Sequence, residues 1–283
     1  MPKVSRKYFK WWERTRLILF RLFREKYKER LFANWTNTAE LNLLSEIIKD
    51  CKLSFIDIGA NAGLYVHAAR KIIPPSQIIA IEPQPYYAKK LMALFPGVQV
   101  KNIGLSDKPH TTEIFVPFTN GEPDPSLASL QPLPDGIEYL SYPVECNTLD
   151  HLMLAENQEK KWFVKMDVEG HEFKVLLGGK DTILHRTSVL LIELESRHHE
   201  NRNLPEMIKE IEMLGLKSYF LEPRHEILVP YNSNSEYFDG GINKIANAIV
   251  NNFWFFAENY NWEQNIFNWN AWLQTEKKRR DGK

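Results

Sequence analysis

The run Phe55-Ile56-Asp57-Ile58-Gly59-Ala60-Asn61-Ala62-Gly63 sets an acid inside an apolar strand and follows it with two glycines four residues apart. Gly59 and Gly63 let the backbone approach a ligand closely, and the start of the next helix offers unpaired N–H donors. A nucleotide-like ligand fits such a turn. The dinucleotide fingerprint G-x-G-x-x-G fails here, because Asn61 stands at its second glycine and Leu64 at its third, which disfavours NAD. Asp57 would repel a pyrophosphate and attract a cationic amino-acid group, so the electrostatics favour S-adenosylmethionine. Glu82 closes the next apolar run, Ile78-Ile79-Ala80-Ile81, where a carboxylate can accept hydrogen bonds from both hydroxyls of a ribose. Alone, Asp57 reads as a turn cap and Glu82 as a solvated strand end; together, at consecutive strand ends, they read as a cofactor site. A third run ends in Asn102-Ile103-Gly104-Leu105-Ser106-Asp107, which puts Ser106 where an adenine ring would meet the sheet edge.

A second constellation lies in Phe163-Val164-Lys165-Met166-Asp167-Val168-Glu169-Gly170. Period two places Lys165, Asp167 and Glu169 on one face. Central parallel strands are normally apolar on both faces, so three charges mean either a buried ion pair with a helix cap or a face open to a substrate cleft. His171 is the candidate general base, oriented by Asp167 or Glu169, although a histidine at a helix start also reads as a surface residue. Glu172 is explained by the helix dipole alone. The run Leu191-Ile192-Glu193-Leu194-Glu195 again aligns two carboxylates, with Arg197, His198 and His199 behind them. Asp167, Glu169 and Glu193 could share a divalent cation such as magnesium or act on an acceptor proton. Lys165, Asp167, Glu169, His171 and Glu193 form the candidate catalytic set for transfer to a hydroxyl, a one-step displacement in which protein supplies alignment and a place for the proton.

The elements that must position these groups alternate. Apolar runs at 55–58, 78–81, 98–103, 162–168, 189–194 and 217–221 interleave with helical segments at 64–71, 86–95, 171–177 and 204–214. That order predicts an α/β, Rossmann-like, mainly parallel sheet covered on both faces. Residues 106–149 break the pattern with Pro123, Pro125, Pro132 and Pro134 around two candidate strands, 112–116 and 142–146, and predict an antiparallel insertion with a mobile loop. Asn37 or Thr38 caps a predicted helix through Lys49.

Charge is uneven although the net is zero. Residues 1–30 carry eleven Lys/Arg against three acids, a net of +8, and residues 277–283 carry +4, which leaves −12 for the stretch between. Basic ends on an acidic body suit contact with an anionic surface and argue against a nucleic-acid groove across the core. Residues 6–32 predict one amphipathic helix, with Lys7, Arg14, Arg21 and Lys28 on one stripe, flanked by Lys10 and Arg24, and Tyr8, Trp11, Trp12, Ile18, Leu19 and Leu22 opposite. Such a helix could lie on an anionic membrane or dock on the acidic body or a second subunit in a homo-oligomer. Leu17–Phe20 is too short for a signal sequence or a span, and Cys51 and Cys146 are too few for a disulfide framework, so the expected location is the cytoplasm, with peripheral membrane contact.

The motifs also carry a family likeness. The run at 55–63, Ile81-Glu82-Pro83, Leu105-Ser106-Asp107, Ser129-Leu130, Thr148-Leu149-Asp150 and Lys165-Met166-Asp167-Val168-Glu169-Gly170-His171-Glu172 occur in the order seen in the FkbM family of methyltransferases. The resemblance spans residues 52 to 256 and ends on Asn252-Phe253-Trp254-Phe255-Phe256 as a last strand. It implies a class I methyltransferase fold with a seven-stranded sheet whose last strand is antiparallel, S-adenosylmethionine as donor, and O-methylation of sugars, glycans or polyketide-type products. It places Asp57, Gly59, Asn61, Gly63 and Glu82 at the cofactor and Asp167, Glu169 and Glu172 in an acidic motif. Many members carry a small residue where His171 stands. The organisation expected is a basic N-terminal helix (1–36), a methyltransferase domain (37–257) and an aromatic-rich helical extension with a basic tail (258–283). The expected acceptor is a sugar or glycan hydroxyl, lipid-linked if the N-terminal helix binds membrane. A small-molecule acceptor and a non-catalytic membrane scaffold are the alternatives. Trp254, Trp262, Trp269 and Trp272 could stack on sugar rings or serve helix packing.

Overall fold

The computed structural model describes residues 38–195, 202–232 and 250–282, together with Lys28, Phe32, His198 and His199. Helix α1 (Ala39–Cys51) starts where Thr38 accepts a hydrogen bond from the Leu41 N–H at 3.3 Å and stops at Lys52, whose left-handed backbone returns its N–H to the Ile48 and Lys49 carbonyls. The core alternation then follows: β1 (Ser54–Ile58), α2 (Leu64–Ala69), β2 (Ile78–Ile81), α3 (Pro85–Leu94) and β3 (Gln99–Lys101). After the insertion come α4 (Leu149–Met153), β8 (Trp162–Met166), α5 (Glu172–Gly178), α6 (Lys180–Arg186), β9 (Thr187–Glu193), α7 (Leu204–Glu212), β10 (Leu216–Glu222), β11 (Ile227–Pro230), β12 (Asn252–Ala257) and α8 (Glu263–Asp281).

The main sheet runs β11-β10-β12-β9-β8-β1-β2-β3. β3, β2, β1, β8 and β9 are parallel, while β12 runs antiparallel to both β9 and β10. The expectation is a seven-stranded sheet with its last strand reversed, and the observed sheet has the reversed β12 and one strand more. β11 is an eighth, and it exists because the Glu222 carboxylate takes the N–H groups of Arg224 and His225 and folds the chain back along the edge. Pro230 ends it, as suits an edge strand.

Side chains sort to the two faces by parity. Phe55, Phe163, Leu191, Trp254 and Phe256 pack with α1, α2 and α8, and Ile56, Val164, Leu190, Ile192 and Phe255 pack with α4 to α7. Trp254, Trp262 and Trp269 are buried, and the Trp269 indole N–H donates to Asp50 at 2.9 Å, so these three rings are packing groups. The C-terminal helix shares the core of α1 and is not a separate appendage.

The insertion holds β4 (Gly104–Leu105), β5 (His110–Thr119), β6 (Glu122–Pro123) and β7 (Tyr139–Asn147), ordered β4-β7-β5-β6, with β5 and β7 antiparallel as expected. Of the predicted helix over 6–32, only Lys28 and Phe32 are described; Lys7, Arg14, Arg21 and the rest of the stripe, like Arg197, lie outside the described residues. Phe32 is buried and stacks on His67 at 4.9 Å, and the Lys28 ammonium lies 5.4 Å from the Phe95 ring centre. Among the described residues no helix is long and apolar enough to cross a membrane.

Candidate functional site

The carboxyl ends of β1, β2 and β8 open into a cleft lined by Gly59, Asn61, Glu82, Gln84, Asp167 and Glu169 among others. Gly59 (φ 79°) presses against the β8 turn so tightly that a Cβ would fall 1.8 Å from the Asp167 carbonyl oxygen. Gly63 (φ 87°) leaves no room either, with Leu91 and Phe95 2.6 Å from a Cβ, and Asn61 between them also adopts a left-handed backbone. The expected free N–H donors of this turn are in fact used internally. Gly59 and Ala60 donate to the Ile81 carbonyl and Gly63 to that of Ala60, while Asn61 donates to Glu82 Oε2 at 2.7 Å. Those four donors are not free for a phosphate, which agrees with the acid beside the turn.

Glu82 is 2% exposed and also accepts from the Gln84 N–H at 2.8 Å. Burial pushes its carboxyl up to about 7 against those two backbone bonds. Asp57, 1% exposed, is likewise pushed up to about 7 by burial, opposed by Lys165, and its Oδ2 has no hydrogen-bond partner among the described residues.

Register aligns Asp57 with Lys165 across β1 and β8, and Glu193 with Asn252 across β9 and β12. Lys165 is buried, with its ammonium 3.6 Å from Asp167 Oδ2, donating to the Met166 carbonyl and Asn252 Oδ1 and lying 5.1 Å from the Tyr65 ring centre. Tyr65 in turn donates its hydroxyl to Glu40 at 2.5 Å. Glu193 is pushed up to about 8, first by burial and then by the nearby Asp167 carboxylate. Asn251 ties Glu193 to Glu195. Asp57, Asp167, Glu193 and Glu40 thus surround a single buried cation.

Several sequence expectations move. β8 stops at Met166 because the Asp167 N–H turns to the Ile58 carbonyl and Glu169 and Gly170 take positive φ, so Glu169 leaves the shared face and stands in the turn, 3.5 Å from His198. Glu172 braces that turn, its Oε1 accepting from the Gly170 N–H at 3.1 Å and its Oε2 lying 3.0 Å from His199. His171 does not line the cleft. It is 3% exposed, its Nε2 is 3.0 Å from the Ser106 hydroxyl, and burial pushes it down to about 4, so the expected base is a neutral core residue. Ser106 is fully buried, with its hydroxyl on His171 and Asp107, and it does not line the cleft. The candidate metal ligands Asp167, Glu169 and Glu193 do not come together as a set: among the described residues no three such side chains converge to hold an ion, with Glu193 bonded to Asn251 and Glu169 facing His198.

Residues 57–219 match the family model described as the methyltransferase FkbM domain. The chain belongs to the FkbM methyltransferase family. No curated protein matches it. Among solved structures the FkbM chain is similar to the methyltransferase FkbM of Methylobacillus flagellatus KT, with 14% identity, coverage of 72% of this chain and 43% of that one, and a TM-score of 0.39. It is also similar to WbdD (11%, 77% and 39%, 0.38) and to a TehB-like SAM-dependent methyltransferase from Corynebacterium glutamicum (11%, 82% and 97%, 0.38). The chain spans less than half the length of the first two.

The donor implied by the family, S-adenosylmethionine, is cationic at its sulfonium and carries an ammonium. The FkbM site fits it through the unpartnered Asp57 oxygen, the carboxylates outnumbering Lys165, and Glu82, each of whose oxygens retains a lone pair for a ribose hydroxyl. Glu40, Tyr65, Gln84, Asn251 and Asn252 were not legible as site residues. Gln84 directly follows Glu-Pro and had a local signal; the other four meet the site only through tertiary folding.

Proposed function

We propose that the chain is an S-adenosylmethionine-dependent O-methyltransferase acting on a hydroxyl of a sugar or glycan. The observation that carries this reading is the pairing of a buried, unpartnered Asp57 oxygen with the ribose-ready Glu82 at adjacent strand ends, beside a shelf of carboxylates and amides. When bound, S-adenosylmethionine supplies an electrophilic methyl group and a neutral thioether leaving group. Asp57 and Asp167 hold negative charge next to the positive end of that donor, and Gly59 admits it to the backbone. Asp167 also lines the cleft, and its ion pair with Lys165 holds it there, so it is the carboxylate placed to accept the acceptor's proton. Glu169, Glu193 and Glu195 offer the side-by-side acceptors that polyol hydroxyls bind, the last two held together by the Asn251 amide.

A labelled-methyl screen over glycan and small-molecule hydroxyls tests the assignment. Asp167→Asn is expected to keep S-adenosylhomocysteine affinity and to lower turnover by about 10²–10⁴-fold, the usual worth of a general base, with a smaller loss for Glu193→Gln. Label transfer only to non-hydroxyl acceptors, or full activity in both variants, would refute it.

A further inference from the structure

The insertion crosses the cleft as a strap fastened at both rims. At the β2 rim, the Gln84 side-chain amide donates to the Pro125 carbonyl at 2.8 Å, and the Tyr142 hydroxyl reaches Gln84 Oε1 at 3.4 Å. At the β8 rim, the Ser129 hydroxyl donates to the Glu169 carbonyl at 2.7 Å and the Gln131 amide to that of Gly170 at 2.8 Å. Pro125, Ser126, Ala128 and Leu130 then form the wall opposite the strand ends.

The chemistry of the lining changes along the cleft. At the β8 end it is acidic, with Asp167 and Glu169, but past Glu82 in the direction of β3 it becomes apolar, with Ile103, Leu105, Ile114, Ala128 and Leu130. A slot of branched aliphatic groups suits the flat faces of a purine; a sugar ring would leave hydroxyls there without partners. The carboxylate and amide shelf lies on the other side, at β9 and β12. Gln84 joins the two functions, since its own N–H holds the Glu82 carboxylate while its side chain holds the strap.

We infer that residues 125–130, fastened by Gln84, form the outer wall of the adenosine subsite, so that the insertion belongs to the donor site and the acceptor enters over the β9 and β12 shelf. This deepens the donor assignment above and rests on it. Gln84 acts as a positioning residue, through Glu82 and Pro125.

Calorimetry on the full chain with S-adenosylhomocysteine and with 5′-methylthioadenosine, which lacks the amino-acid end, tests it. Ala128→Trp fills the slot and is expected to weaken both ligands by on the order of 100-fold at unchanged Tm, as loss of a packed ring requires. Gln84→Ala is expected to weaken both by about tenfold. In wild type, S-adenosylhomocysteine is expected to slow amide exchange across 125–131, an effect a merely structural Gln84 would not govern, and Gln84→Ala to abolish that slowing. Wild-type affinity in folded Ala128→Trp, with only acceptor KM altered, would overturn the inference and leave the donor reading standing. If Ala128→Trp does not fold, absence of ligand protection across 125–131 overturns it in the same way. Failure of the wild type to bind either ligand overturns the donor reading, and the inference with it.

Discussion

Asp57 and Glu82 sit at the carboxyl ends of buried parallel strands, where the sheet gives them no water and little compensating charge. Both are held up at about 7, and Glu193 at about 8, chiefly by burial. The sign of the consequence is fixed. A carboxyl whose folded value exceeds its unfolded one keeps its proton in the folded state longer, so folding stability falls as pH rises from the unfolded value near 4 to the folded value. The ligand-free protein is therefore expected to lose Tm steadily between about pH 4 and pH 8. A cationic ligand favours the ionised forms, so affinity for S-adenosylmethionine should rise by on the order of tenfold between pH 6 and pH 8. Asp57→Asn is expected to flatten part of the Tm slope and raise Tm at pH 8, while weakening S-adenosylmethionine by about 10- to 100-fold, because a charge-assisted contact is lost. Thermal melts and calorimetry across that range check all three; a Tm that stays flat or climbs toward pH 8 would show that the folded state does not hold these carboxyls above their unfolded value.

At the scale of elements, the site depends on two turns that touch. The β1–α2 turn and the β8–α5 turn meet where Gly59 lies on the Asp167 carbonyl, so an added methyl group must displace one strand end from the other. Gly59→Ala adds to that clash a left-handed backbone that alanine resists by about 1–2 kcal/mol, and is expected to lower Tm and abolish S-adenosylhomocysteine binding together. Gly121→Ala, also at positive φ but with open space around its Cβ, serves as the control for backbone strain alone. Normal ligand affinity in Gly59→Ala would mean that the two turns are not rigidly coupled. These turns also explain what the sequence made legible. Asp57, Gly59 and Glu82 announce themselves because strand, acid and glycine are local neighbours, and the parallel sheet follows from the same alternation. Glu40, Tyr65 and Asn251 carry no local signal, since only the folded sheet edge brings them toward Lys165, Asp167 and Glu193. His171 and Ser106 mislead for the opposite reason: their types suit chemistry, but their burial is a tertiary fact. Glu169 was misplaced because strand periodicity was extended past Met166 into a turn.

At the scale of the whole molecule, charge is segregated along the chain, with a basic segment at each end of an acidic stretch. The C-terminal cations are tied to the protein's own surface, with Arg279 on Glu276, Arg280 on Glu226 and Lys277 on the Arg224 carbonyl. The net +8 of residues 1–30 lies, apart from Lys28, outside the described residues. Lys28 and Phe32 lie against α2 and α3, which anchors the end of that segment to the body. We predict that the stripe of Lys7, Arg14 and Arg21 holds the enzyme to an anionic membrane surface. Each such residue contributes about 1 kcal/mol near a charged bilayer. Deleting the whole segment is a poor test, because removal of Phe32 would expose the core of α1 and α2. Replacing Lys7, Arg14 and Arg21 by glutamate leaves that packing intact. The wild type is expected to co-sediment with vesicles containing phosphatidylserine, to release at high salt as screening shortens the reach of the charges, and to ignore neutral vesicles. The triple variant should partition at least about 100-fold less, given three contributions of that size removed. Equal partitioning of the two proteins would instead assign the basic stripe to the acidic body between the ends, whose −12 offers a partner of opposite sign within the same chain.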